Sequence, residues 1–237
     1  MTSPISGPDP VSVVLPARNE AANLPGLLLA CARVFASRFP DYELLVVDDG
    51  SSDDTAALVE KLRQDNPRLR LIRHPENLGY GAALRSGFAA ARYPLIFFTD
   101  ADGQFDPAEV DRLILHLKET DLVAGYRAAR RDPWPRRLYG RVFSWLCRVR
   151  FGVRVRDVNC AFKLFRRSVL EGAELRCSGA LINAELLAVA QGRGVVPVEV
   201  PVAHFPRRQG EPSGGSAAVI VRAVREFWEL DRRLRRR

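Results

Sequence analysis

The chain has 237 residues, is 47% hydrophobic and 27% charged, and carries a net charge of +8. That composition suits one globular domain with a sizeable core and excludes wholesale disorder. The longest apolar runs, Pro94 to Phe98 and Gly179 to Ala190, are too short to cross a bilayer, and the second contains Glu185.

Met1 to Pro10 is polar and rich in Pro and Ser, and reads as a loose leader (residues 1–10). Val11 to Leu15 is a β-branched strand signal that ends at Pro16 and a polar turn. Leu24, Leu27, Leu28, Cys31, Val34 and Phe35 recur at helical spacing. Tyr42 to Val47 is a second strand, stopped by Asp48, Asp49 and Gly50. Ser51 to Asp54 supplies capping residues for a helix through Leu62. Leu69 to Arg73 is a third strand, and the turn Asn77 to Gly81 opens a helix ending near Ala91. Leu95 to Thr99 is a fully apolar strand bounded by Asp100. Asp106 and Pro107 stand as N-cap and first residue of a helix to about Leu117, and Leu122 to Gly125 is a fifth strand.

The second half is less regular. Leu138 to Val149 predicts a basic amphipathic helix, Cys160 to Phe165 a strand, Leu181 to Gln191 a helix and Val195 to Val200 a strand. A Gly/Pro/Arg loop, His204 to Ser216, precedes a last amphipathic helix, Val219 to Arg237. The expected division is a catalytic domain over 11–215 and a basic C-terminal helix over 216–237.

Strands buried on both faces, alternating with helices, predict an α/β fold of Rossmann-like type with a mostly parallel sheet and peripheral amphipathic helices. Ligands of such sheets sit beyond the carboxyl ends of the strands. Those ends carry Pro16 to Glu20, Asp48 with Asp49, Asp100 to Gln104, and Arg127. Asp100-Ala101-Asp102 places two carboxylates two residues apart in a turn, where they can converge on a hard cation, Mg²⁺ or Mn²⁺. Gln104 can add a neutral oxygen. Read blandly, the two aspartates only shape the turn. Asp48 and Asp49 suit the ribose or base of a nucleotide, or a helix cap.

Positive charge is focused. Ten arginines lie between Arg127 and Arg156 against one acid, Asp132, and seven more lie in the tail from Arg222. This points to an anionic partner, or to a solvated basic face. No nucleic-acid-binding signature accompanies it, so no nucleic acid is expected. Cys31, Cys147, Cys160 and Cys177 lack metal-ligand spacing and read as reduced thiols, which predicts a cytoplasmic protein. The three histidines, at 74, 116 and 204, fall outside the acidic motifs and read as surface or structural residues.

Six segments, in order across about 200 residues, resemble glycosyltransferase family 2, and within it the dolichyl-phosphate mannose synthase-like branch: VVLPARNEAANL (13–24), ELLVVDDGSSDDT (43–55), NLGYGAALRSGF (77–88), TDADGQFDPAEV (99–110), AGYR (124–127) and FPRRQGEPSGG (205–215). The resemblance implies a nucleotide-sugar fold of the GT-A type. By position, Pro16, Arg18 and Glu20 would frame the nucleobase and ribose, and Asp48 and Asp49 would hold the nucleoside. Asp100, Ala101, Asp102 and Gln104 would bind metal and diphosphate. Arg127 and Lys163, with Arg208 and Ser213, would bind the donor diphosphate and the acceptor phosphate. Two departures stand out: Arg18 replaces a common aromatic, and the late loop reads Glu-Pro-Ser instead of Ser-Lys.

The implied reaction moves a hexose, mannose or glucose, from a GDP- or UDP-sugar to a polyprenyl phosphate. A phosphate acceptor is already an anionic nucleophile and needs cationic holders more than a general base. Processive polysaccharide synthases of the family carry Q-x-x-R-W, which is absent here. The stretch Trp134 to Arg150, and the tail helix with Phe227 and Trp228, suit an anionic membrane surface, so peripheral attachment to the inner face is expected. The alternatives are a soluble or lipid hydroxyl acceptor and, more remotely, a non-catalytic basic adaptor.

Overall fold

The computed structural model describes residues 8–128, 134–207, 209 and 217–235. Seven strands form one sheet: β1 (Val11–Ala17), β2 (Tyr42–Asp48), β3 (Leu69–Arg73), β4 (Leu95–Thr99), β5 (Leu122–Arg127), β6 (Phe162–Arg166) and β7 (Val198–Val202). Their order is β3-β2-β1-β4-β6-β5-β7. Neighbours pair in parallel except β6, which runs antiparallel to both β4 and β5. The helices are α1 (Leu24–Arg38), α2 (Thr55–Gln64), α3 (Tyr80–Ala90), α4 (Val110–Ile114), α5 (Trp134–Phe151), α6 (Ile182–Gly192) and α7 (Ala217–Leu234).

The apolar strands are apolar because both their faces are covered. β1, β2 and β4 are buried along their whole length. Phe97 and Phe98 alternate across β4; Phe97 meets Phe35 of α1 at 5.2 Å and Phe98 meets Phe88 of α3 at 5.4 Å. Each fully buried side chain of this kind stabilises the fold by about 1.5–3 kcal/mol. Pro16 is tolerated inside β1 because β1 pairs with β4 only through Val14. The helix expected from Asp106 to Leu117 is shorter: Asp106 caps a 3₁₀ turn, Pro107–Glu109, and α4 follows. Ser51 and Ser52 do not cap α2; they bind Asn19 across the sheet edge.

At its carboxyl edge the sheet has its switch point between β1, whose chain continues outward to β2, and β4, which starts the other half. The strand ends on either side of that point carry Glu20 and the Asp100–Asp102 turn. Because β6 lies between β4 and β5, Asp100 and Arg127 are separated by two strand spacings, about 10 Å.

α5 and α7 stand apart from this regular layer. α7 buries Glu226, Leu230 and Asp231 and packs Phe227 on Phe151 of α5 with centroids 4.7 Å apart. Arg150 of α5 pairs with Asp231. Phe143 of α5 and Phe227 of α7 are partly buried against the core, so the outward faces rest on other residues.

Candidate active site

The loop after β1 is set by Asn19, which adopts φ 56° and accepts from Ser52 N at 2.8 Å. Glu20 N donates to Thr55 Oγ1 at 2.9 Å, and Ala21 N to Asp53 Oδ2 at 3.2 Å. These bonds stitch the β1 and β2 loops together and fix Glu20, only 7% exposed, beside the acidic turn. Arg18 is exposed on the same loop.

Asp48 and Asp49 have different surroundings despite being adjacent. Asp48 is fully buried; Oδ1 accepts from Ser51 N at 3.2 Å, while Oδ2 has no hydrogen bond and lies 3.8 Å from Arg73 Nε. Asp49 is occupied: it accepts from Leu78 N at 3.0 Å and Gly79 N at 2.9 Å, and its Oδ1 lies 2.8 Å from His74 Nδ1. Of the two acids expected at the nucleoside, only Asp48 keeps an oxygen without a hydrogen bond. Asp49 shapes the turn before α3, and the buried His74 is also bonded to Ser86.

Asp100 and Asp102 come together as expected, with Ala101 buried between them. Oδ1 of Asp100 is buried without a hydrogen-bond partner. Burial first, then the charge of Asp102, pushes the Asp100 carboxyl up to about 7, against the pull of Tyr80, Arg127 and Lys163. Tyr80 is itself held well above its ordinary value by burial and by Asp100. Two crowded carboxylates with an orphaned oxygen suit a hard divalent cation, which relieves their repulsion. Among the described residues no group of three or more His, Cys, Asp or Glu side chains could hold a metal, so phosphate and water oxygens would complete the shell.

Gln104 was expected to ligate the same ion. Its side-chain nitrogen donates to Phe205 O at 2.9 Å, while Phe205 N donates to the Gln104 backbone O at 2.9 Å; the side-chain oxygen is the atom that would meet the ion. This pair draws the irregular segment after β7 over the acidic turn. His204, beside it, is buried with its ring 5.3 Å from Phe105. The segment delivers Arg207, which sequence reasoning missed in favour of its neighbour. Arg207 Nη2 donates to Glu20 Oε1, and Nη1 lies 3.7 Å from Asp102 Oδ2. Arg208 and Ser213 lie outside the described residues.

Arg127 closes the other side. Asp157, also missed, holds its guanidinium with bonds of 2.7 and 2.8 Å. A cavity of about 150 Å³ adjoins this pair, lined by Arg127, Arg137, Arg141, Arg156, Tyr126 and Asp157 among others. Lys163 does not reach it. The ammonium is fully buried and donates to Val158 O (3.1 Å), Asn183 Oδ1 (3.1 Å) and Cys160 O. Burial lowers its pKa to about 8. Here Lys163 holds the 158–160 loop and Asn183 together. Asp157, Tyr80 and Asn183 left no periodic signal, because their work depends on loops meeting in space.

An acidic turn at the switch point of a doubly wound sheet, facing a basic cavity, defines a nucleotide-dependent group-transfer site. A family model for glycosyl transferase family 2 matches residues 12–172, and the chain belongs to that family. The fold is similar to glucosyl-3-phosphoglycerate synthase from Mycobacterium tuberculosis in complex with uridine diphosphate (20% identity, 94% of this chain and 80% of that chain covered, TM-score 0.72). It is also similar to that enzyme with Mn²⁺, uridine diphosphate and glucosyl-3-phosphoglycerate (22% identity, 95% and 77%, TM-score 0.64). A third is a mannosyltransferase from Pyrobaculum calidifontis with GDP-mannose and Mn²⁺ (18% identity, 97% and 65%, TM-score 0.64). The protein is a glycosyltransferase that uses a nucleotide-sugar donor.

Proposed function

We propose that the enzyme transfers a hexose, mannose or glucose, from a GDP- or UDP-sugar to a polyprenyl phosphate presented at an anionic membrane surface. The observation that carries this reading is the placement of the arginine cavity. Arg137 and Arg141 line it from α5, and the same helix exposes Leu138, Val142, Trp145 and Val149 at i, i+4, i+7 and i+11. A phosphate held by the arginines leaves its hydrocarbon chain beside an apolar stripe. No helix among the described residues is long and apolar enough to cross a membrane, so this stripe would act peripherally.

Asp100 and Asp102 would hold a divalent cation, Mg²⁺ or Mn²⁺; the solved relatives named above include complexes with Mn²⁺. When bound, the cation neutralises charge on the leaving nucleoside diphosphate. The reaction is one in-line displacement. An acceptor phosphate oxygen forms the new bond to the anomeric carbon as the bond to the diphosphate oxygen breaks, with inversion. Arg127, Arg137 and Arg141 orient the nucleophile, and Glu20 and Arg207 shape the donor side. Arg208 and Ser213 remain assigned to the acceptor phosphate, and Asp48, whose buried Oδ2 has no hydrogen bond, to the nucleoside.

The basic cavity also suits a small phosphorylated hydroxy acid, the kind of acceptor named for the mycobacterial relatives. That reading needs a base at the hydroxyl, for which Asp157 beside Arg127 is the nearest carboxylate. A transfer assay with labelled GDP-mannose and UDP-glucose separates the two. Chelator-sensitive label in the organic phase with polyprenyl phosphate supports the lipid acceptor; label confined to a water-soluble product overturns it.

A further inference from the structure

The register of α7 on the fold is fixed at three points. Glu226, only 4% exposed, accepts at Oε1 from Ser178 N and Oγ at 2.8 Å and from Gly179 N at 3.0 Å. Arg233 pairs with the buried Glu185 of α6 at 2.6 Å, and Asp231 with Arg150 of α5. Glu185 in turn accepts from Arg176 N at 3.0 Å and Cys177 N at 2.8 Å. Two buried carboxylates, one from each of α6 and α7, therefore clamp the 176–179 loop. That loop meets the start of α3, where Gly81 N donates to Ser178 O at 2.7 Å.

Arg222 stands four residues before Glu226, on the same helix face. Its side chain runs over two glycines. A Cβ on Gly179 would stand 3.4 Å from Arg222 Cδ, and a Cβ on Gly79 would stand 2.7 Å from Arg222 Nη1. Gly79 has φ 105°, where any side chain is strained. The guanidinium thus rests against the backbone of the turn that opens α3. It is exposed, and among the described residues it has no ion pair or hydrogen bond. Other arginines of the same helix are engaged: Arg225 with Glu229, Arg233 with Glu185 and Arg235 with Asp231.

The Gly79 turn joins the two parts of the donor site. Gly79 N donates to Asp49 Oδ2 at 2.9 Å, next to Asp48, which is assigned to the nucleoside. Tyr80, the following residue, brings its phenol to Asp100, which is assigned to the cation. A nucleoside diphosphate that spans from Asp48 to an ion on Asp100 and Asp102 carries its phosphates past this turn. There a phosphate oxygen meets a guanidinium with no carboxylate competing for it. We propose that Arg222 binds the diphosphate of the nucleotide-sugar donor, and that Glu226 is the positioning residue that sets α7 so that the arginine reaches it. The inference rests on the donor placement given above and is independent of the acceptor.

The test is calorimetric titration of the full chain with UDP and with GDP in the presence of Mn²⁺. Arg222→Gln should weaken binding of the diphosphate that the wild type takes by roughly ten-fold, the worth of one charge-assisted hydrogen bond, without lowering the melting temperature. Arg222→Lys should recover part of that loss. Arg225→Gln, which removes the same charge from the same helix, should leave the affinity in place. Glu226→Gln should weaken binding in the wild type and have little further effect in the Arg222→Gln background. Wild-type affinity in Arg222→Gln, an equal loss in Arg225→Gln, or a fall in melting temperature shared by the Gln and Lys variants would overturn the proposal. So would binding of neither diphosphate by the wild type, or an Arg222→Gln effect confined to the acceptor KM. Transfer to polyprenyl phosphate is assayed separately; its absence would sink the proposed acceptor and leave the nucleotide titration to judge Arg222.

Discussion

Arg207 lies between Glu20 and Asp102, joining the loop after β7 to the two acidic corners of the donor side. Burial raises the Glu20 carboxyl above its ordinary value, opposed by the Asn23 hydrogen bond and by the charge of Arg207. Arg207→Ala removes part of that opposition. It should cost about 2 kcal/mol at neutral pH, less than a fully buried pair because Arg207 is partly exposed. The sign follows from Glu20: its raised folded pKa means that stability falls as pH rises above the unfolded value of 4.5. The variant's deficit should therefore be smallest in acid and grow toward neutrality. Urea melts of both proteins across that range would show it; a pH-independent deficit would refute it.

Asp102→Ala should abolish transfer, by roughly a thousand-fold or more, while the protein still folds. The carboxylate's bond from Gln104 N, at 3.1 Å, is worth about 1 kcal/mol. Circular dichroism and the transfer assay together check this. Wild-type turnover in the variant would remove the acidic turn from the mechanism.

Lys163→Met separates a structural lysine from a phosphate ligand. It strands Val158 O, Cys160 O and Asn183 Oδ1 in the interior and should destabilise by about 3 kcal/mol. The donor KM of the folded fraction should stay near wild type. A large rise in KM without loss of stability would restore the phosphate role.

Gly81→Ala tests the seam between α3 and the 177–179 loop. A Cβ there would meet Cys177 O at 2.5 Å and Gly179 O at 2.7 Å, both backbone atoms. The loop must move, breaking the Gly81 N to Ser178 O bond, and the melting temperature should fall by several degrees. Unchanged melting would show that the seam is loose.

All four cysteines are free and buried. Burial pushes Cys31, Cys147 and Cys160 up to about 12, so at pH 8 they remain thiols and poor nucleophiles. Native protein should resist a thiol reagent, and four equivalents should react after denaturation. Rapid labelling of the native chain would show that these sites open.

The parallel half of the fold was legible because buried strands such as Leu95 to Thr99 are uninterrupted and end at Asp or Pro. Asp100 and Asp102 were legible for the same reason, standing where an apolar run stops. The difference between Asp48 and Asp49 was not legible, because adjacency says nothing about which carboxylate the next turn will occupy. The surroundings of Lys163 were not legible, because alternation along β6 does not reveal whether a cation meets carbonyls or solvent. Arg207 and Arg208 cannot be ranked from sequence, since which of two neighbouring arginines faces the acids depends on how Phe205 docks on Gln104.

The antiparallel strand β6 has a further consequence. It holds the Asp100 and Arg127 corners apart by hydrogen-bonded backbone, at a distance quantised in units of strand spacing. No side-chain replacement can widen or narrow that gauge. Divergence in what the enzyme accepts must then arise from the loops hung at the strand ends, as interchangeable fittings on a frame of fixed width.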